Sequence, residues 1–175
     1  MNWAHVHLML NHLPVIGMIF AFGLLIVSLL MKNQTLQKVV LGVLVFTAIT
    51  AIPVYLTGEP AEEVAEHLPG VTDAIIERHE DFAKFSLIAI LITGALAAVS
   101  LLLARGGKAI SNLLMMLLVA LSLVTVGLMG YTANLGGEIR HTEIRATNPQ
   151  STGNQAEDKS NDSETEKKRG SKDDD

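Results

Sequence analysis

The chain has 175 residues, 49% of them hydrophobic, with a formal net charge of −5 and a mean hydropathy of +0.37. Of its 31 Asp, Glu, Lys and Arg residues, thirteen crowd into the last nineteen positions, which leaves eighteen for the first 156. That is too few to coat a soluble globule of this size, so a lipid bilayer is the expected solvent; the negative balance disfavours nucleic-acid binding, and the absence of cysteine excludes disulfides, thiolate ligation and thiol nucleophiles.

In chain order, the first residues lack a basic n-region and a small-residue cleavage site, so no signal peptide is expected. Four uncharged runs, about 13–31, 39–57, 85–104 and 109–133, each meet the roughly 20-residue requirement for a helix that crosses the hydrocarbon. Pro14 either kinks a first helix that begins near Trp3, clashing with the carbonyl of Leu10, or is a first-turn proline of a helix that begins at Asn11. In the first case a freed carbonyl can take one ring nitrogen of His12 and leave the other for a ligand.

The segment 58–84 reads as two helix starts. Glu59-Pro60 suits a first turn, and Pro69-Gly70 ends that short helix. Thr72-Asp73 can cap the next, so the third span begins two or three turns outside the hydrocarbon. The fold class is therefore all-α: an integral membrane up-and-down four-helix bundle over residues 1–145, with a disordered polar tail over 146–175, which lacks large apolar residues from Thr147 onward.

The short links 32–38 and 105–108 carry Lys32, Lys38, Arg105 and Lys108 and no anion. The segment 58–84 carries eight acids against Arg78 and Lys84. The positive-inside rule places the short links in the cytoplasm and both termini outside, in a bacterial cytoplasmic (inner) membrane.

The six histidines (His5, His7, His12, His67, His79 and His141) all fall at one membrane face under this assignment. Imidazole is the commonest neutral nitrogen ligand for haem iron, zinc or copper. His12 and His79 each adjoin a hydrophobic span and are the first choices for a specific role, with an interhelical hydrogen bond as the structural alternative. His5 and His67 read as solvated or capping residues. Glu138 and His141 have a Glu-x-x-His spacing, but one copy is half of a di-iron site, and they follow Gly136-Gly137, where helicity is not expected to hold. Phosphate loops, dinucleotide fingerprints and nucleophile elbows are absent from the sequence. No charge lies in a span centre, which argues against an ion or proton channel.

With these residues laid out, the chain resembles the bacterial membrane family catalogued as domain of unknown function 2231. That family opens with a histidine, four residues, then His-aromatic-Pro leading into the first span. HLMLNHLPVIG carries His7, His12 and Pro14 at those positions, with Leu8 for the usual proline and Leu13 for the aromatic. Arg78-His79 is similar to the family's Arg-His pair before the third span. Leu135-Gly136-Gly137-Glu138 and Arg140-His141 resemble its ending, here without the final glycine. Members are sometimes fused to Rieske or cytochrome c-type domains, which implies a redox setting and, by analogy, raises haem above a bare zinc site.

The first reading is an electron carrier, rather than a stand-alone enzyme, that holds one b-type haem near the outer face with His12 and His79 as axial ligands from diagonal spans. Its partners would be a quinone or an extracytoplasmic redox protein. The second is a single transition-metal site built from His7, His12, His79 and His141. The third is a cofactor-free scaffold or assembly subunit of a membrane complex or homo-oligomer.

Overall fold

The structure, a computed structural model, describes residues 3–67 and 69–141. The tail expected over 146–175 lies outside the described residues. The chain divides into two units, Met1–Arg140 and His141–Asp175. The described residues of the first form helices joined by turns and short links: α1 (Trp3–Leu10), α2 (His12–Leu30), α3 (Gln34–Leu56), α4 (Gly58–Ala65), α5 (Asp73–Leu103) and α6 (Asn112–Arg140), with a short 3-10 turn at Arg105–Gly107.

Four stretches are long and apolar enough to cross a membrane: Trp3–Leu30, Gln34–Leu56, Asp73–Leu103 and Asn112–Ile139. They form a ring in chain order. α2 packs on α3 and α6, and α5 packs on the same two helices, so the first and third spans are diagonal. The outward faces carry Phe20, Phe46, Ile88 and Leu123, each more than half exposed. In water such a surface would aggregate; in lipid it is the solvated face.

The boundaries follow local chemistry. The first helix begins at Trp3 and is interrupted at Asn11, because Pro14 has no N–H and its ring crowds the carbonyl of Leu10. Asn11 nevertheless stays right-handed helical and donates its N–H to His7 O at 2.9 Å, so α1 and α2 form one span with a break. The side chain of Asn33 caps α3 by accepting from Leu36 N at 3.0 Å. Thr72 stands at the start of α5 in extended backbone without a side-chain cap, and α5 runs from Asp73, three turns before the hydrophobic run. α6 starts at Asn112, later than the hydrophobic run suggests. The reason is that Ile110 N donates to the Gln34 side chain at 3.1 Å and holds residues 108–111 out of the helix. α6 also runs without interruption through Gly136-Gly137, where a break was expected.

Lipid supplies no hydrophobic drive between helices, so close packing and interhelical hydrogen bonds must hold the bundle together. Both are present. A Cβ at Gly94 on α5 would overlap the Cβ of Ala48 on α3, and a Cβ at Gly17 on α2 would lie 3.0 Å from Thr47 Oγ1. Thr47 and Ala48 are consecutive, so α3 is seated against both neighbours at one depth. Between α5 and α6, Ser86 and Thr132 share a hydrogen bond at 2.8 Å, and Thr93 meets Thr125 at 3.1 Å. Ser86, Thr93 and Ser100 recur every seven residues along the buried seam of α5, opposite Thr132 and Thr125 on α6. That is the antiparallel heptad pattern of a left-handed bundle.

Gly94→Leu should therefore lower stability by about 1–3 kcal/mol through overpacking. Gly127→Leu should not, since open space surrounds Gly127. Unfolding midpoints in mixed micelles measure the difference. Equal midpoints for the two variants would show that α3 and α5 do not touch at Gly94.

Candidate functional site

Two imidazoles enter the bundle from the histidine-bearing end, and the same local device holds each. His7 lies seven residues before Pro14, which is followed at the same spacing by Ala21 and Ser28, all buried. His79 lies seven before Ser86 on the seam of α5. Each imidazole thus tops the interior stripe of its span. His7 Nδ1 donates to Val54 O at 3.1 Å near the end of α3, with Thr57 Oγ1 at 3.2 Å. His79 Nδ1 donates to Thr132 O at 3.1 Å on α6.

In both cases the residue four places after the acceptor is glycine. A Cβ at Gly58 would lie 3.8 Å from His7 Cε1, and a Cβ at Gly136 would lie 3.1 Å from His79 Cε1. A helical carbonyl points toward the residue four ahead, so a bare Cα there lets a ring approach the oxygen. The two helical hairpins, first span with second and third with fourth, repeat one arrangement: histidine, carbonyl acceptor, glycine. The contact gives Gly136 a packing role within α6, which continues through Gly136-Gly137.

The consequence is chemical. Donation from Nδ1 fixes the tautomer and leaves a lone pair on Nε2, which makes no hydrogen bond among the described residues in either ring.

His12, placed with His79 by the sequence reading, sits elsewhere. It is two positions before Pro14, on the opposite side of the helix, and is exposed. Its Nδ1 donates back to Leu8 O at 3.1 Å across the break. His5 shares that outer face. His67 donates to Glu63 O at 2.8 Å, one turn back at the end of α4. His141 follows the last residue of α6 and is exposed. Among the described residues no three His, Asp or Glu side chains converge on a point that could hold an ion. The sequence reading passed over His7 as half of an inward pair; the seven-residue spacing from His7 to Ser28 was its signal.

The surroundings are acidic. Partial burial, and then the carboxylates of Glu80, Glu66 and Glu59, hold the Glu62 carboxyl above its ordinary range. Lys84 pairs with Glu80 at 2.9 Å and Asp81 at 3.9 Å, exposed and worth little. Arg78, beside His79, lays its guanidinium 5.5 Å from the centre of the Tyr131 ring and donates to the Tyr131 hydroxyl. Phe82 closes edge-on against the same ring at 4.5 Å.

Gly136→Ala should press on the His79 ring and weaken its bond to Thr132, with a cost near the ~0.6 kcal/mol average for interhelical bonds in lipid. In a His79→Ala background the same change should cost nothing, because the ring it meets is gone. An equal loss in both backgrounds, measured by unfolding in micelles, would assign the cost to the helix itself.

No curated protein and no solved structure matches the chain. The match to a known family extends over residues 4–144, which take in the four spans, both inward imidazoles and their carbonyl acceptors. The chain belongs to the family of predicted membrane proteins catalogued as domain of unknown function 2231.

Proposed function

We propose that this membrane protein is an electron carrier in which His7 and His79 would hold one b-type haem at the histidine-bearing end, and that it exchanges electrons with a quinone or a redox protein. One observation carries the reading: two imidazoles, one from each hairpin, are anchored through Nδ1 to a backbone carbonyl and keep the Nε2 lone pair. The donor set favours haem over a bare ion. A protein-bound zinc or copper site takes three or more protein ligands, whereas haem iron needs one or two, the porphyrin supplying the rest. Two imidazoles without a third donor among the described residues suit the second case.

When bound, haem supplies a one-electron couple. The chain's own residues orient the ligating nitrogens, through Val54 O and Thr132 O, and exclude water through the buried seams below. The proposal keeps His79 from the sequence reading and exchanges His12 for His7, because His12 lies on the outer face.

Protein made with haem in excess should have a reduced-minus-oxidised spectrum with a sharp b-type band. His7→Ala and His79→Ala should each abolish the low-spin form, while His5→Ala, His12→Ala and His67→Ala should retain it. Loss in His12→Ala with retention in His7→Ala would sink the assignment. A wild-type protein that stays colourless with haem in excess would remove the haem reading. A colourless stoichiometric metal that depends on His7 and His79 would replace it with an ion site.

We also propose a bacterial inner-membrane location with both termini extracytoplasmic, since Lys32, Lys38, Arg105 and Lys108 lie at the end opposite the histidines. A reporter active only in the cytoplasm, fused after Asp175, should stay silent. Activity there inverts the orientation.

A further inference from the structure

The seam between α2 and α3 is built differently from the seam between α5 and α6. The second carries direct hydroxyl pairs, Ser86 with Thr132 and Thr93 with Thr125. Among the described residues no side-chain hydrogen bond joins α2 to α3. Two polar side chains nevertheless meet on that seam, at the end opposite the histidines. Their register follows from the contact of Gly17 with Thr47. Eleven residues further along α2 stands Ser28, and ten residues back along α3 stands Gln37, each step close to three helical turns. The two helices are antiparallel, so Ser28 and Gln37 face each other at one depth. Ser28 is fully buried, and only 4% of Gln37 is exposed.

Both groups present acceptors. Ser28 Oγ donates its single proton to Leu25 O at 2.7 Å, which leaves only its lone pairs. Gln37 Oε1 is enclosed and has no hydrogen-bond partner among the described residues. An unpaired amide oxygen inside a lipid-embedded bundle is costly, and a second acceptor opposite does not relieve it. A small species with two donors satisfies both. The packing sets its size. Leu25 and Leu41, one turn toward the histidines, are fully buried. Ile110, tied through its N–H to Gln34 at the start of α3, is buried at the other end. The charge sets its kind. Lys32, Lys38, Arg105 and Lys108 lie at this end, and residues 31–38 and 104–112 contain no carboxylate, so a cation is repelled and a neutral donor is not.

We infer that one water molecule is bound between α2 and α3, donating one hydrogen to Gln37 Oε1 and the other to Ser28 Oγ. A water held by buried polar groups in this way is part of the structure. It gives the α2–α3 seam the polar rung that the α5–α6 seam makes directly. The site is separate from His7 and His79 and stands whether or not haem binds there.

Two measurements on the full-length protein test it. The first is a double-mutant cycle of Ser28→Ala and Gln37→Met, read as unfolding equilibrium constants in mixed micelles. Each change removes one acceptor of the bridge, so the two losses should be coupled by about threefold, the equivalent of an average interhelical bond in lipid. Additive losses overturn the bridge. The second needs no variant: crystals grown in lipid from a medium that contains rubidium. The expected result is density about 2.8 Å from both Gln37 Oε1 and Ser28 Oγ, without an anomalous signal. A rubidium peak would make this a cation site and overturn the proposal. So would a Gln37 amide bonded directly to Ser28 or to a backbone carbonyl, or a space between the two side chains without density.

Discussion

The contact between the backbones of α3 and α5 at Ala48 and Gly94 sets the dimensions of the bundle. In a bilayer apolar side chains gain nothing by facing one another rather than lipid, so dispersion and hydrogen bonding across tight interfaces must do the assembling. The absence of a side chain at Gly94 brings the second and third spans together, and Gly17 does the same for the first and second against Thr47. α3 is thereby wedged between both. The fourth span closes the ring through polar rungs, Ser86 with Thr132 and Thr93 with Thr125.

Those seams lead to the imidazoles. His7 and His79 occupy the ends of the inward stripes of two diagonal spans, and each ring rests where a glycine four residues past its acceptor leaves a carbonyl open. The four-helix ring thus consists of two hairpins with the same histidine–carbonyl–glycine contact. The sequence itself repeats His-Leu-Pro at 12–14 and 67–69, which does not correspond to this repeat. The structural repeat pairs His7 with His79, Val54 with Thr132 and Gly58 with Gly136, among which only the histidines and glycines keep their identity.

The break at Asn11 separates two histidine environments. Pro14 interrupts the hydrogen-bond ladder without removing the chain from helical geometry, so His7 stays on the inward stripe while His12, five residues on, turns to the lipid. One proline thereby accompanies an imidazole at the top of the inward stripe and another on the outer face. The acidic segment around α4 and the start of α5 surrounds this end, with Arg78 held against Tyr131 beside His79. That charge distribution is a property of the surface, separate from the two inward imidazoles.

Much of the architecture was legible in the residues because it depends on one-dimensional quantities. The length of uncharged runs, the concentration of charge in the last nineteen positions and the proline and glycine punctuation of 58–84 identified four spans, the short α4 and the early start of α5. The site was less legible, since it depends on the rotation of each helix about its axis, which only its neighbours decide. Two residues of displacement from the Pro14 stripe put His12 outside, and the seven-residue step put His7 inside; both facts were in the sequence, but nothing in it said which stripe would face the core. Gly136-Gly137 read as a break because glycine destabilises an isolated helix. In the folded chain the same glycine is the place where the His79 ring reaches Thr132 O, and the packing of α6 along its whole length offsets the local cost. Composition and spacing thus determined that this protein is a four-span membrane bundle, while packing alone decided which imidazoles turn inward, because the contacts that orient them join residues some fifty positions apart.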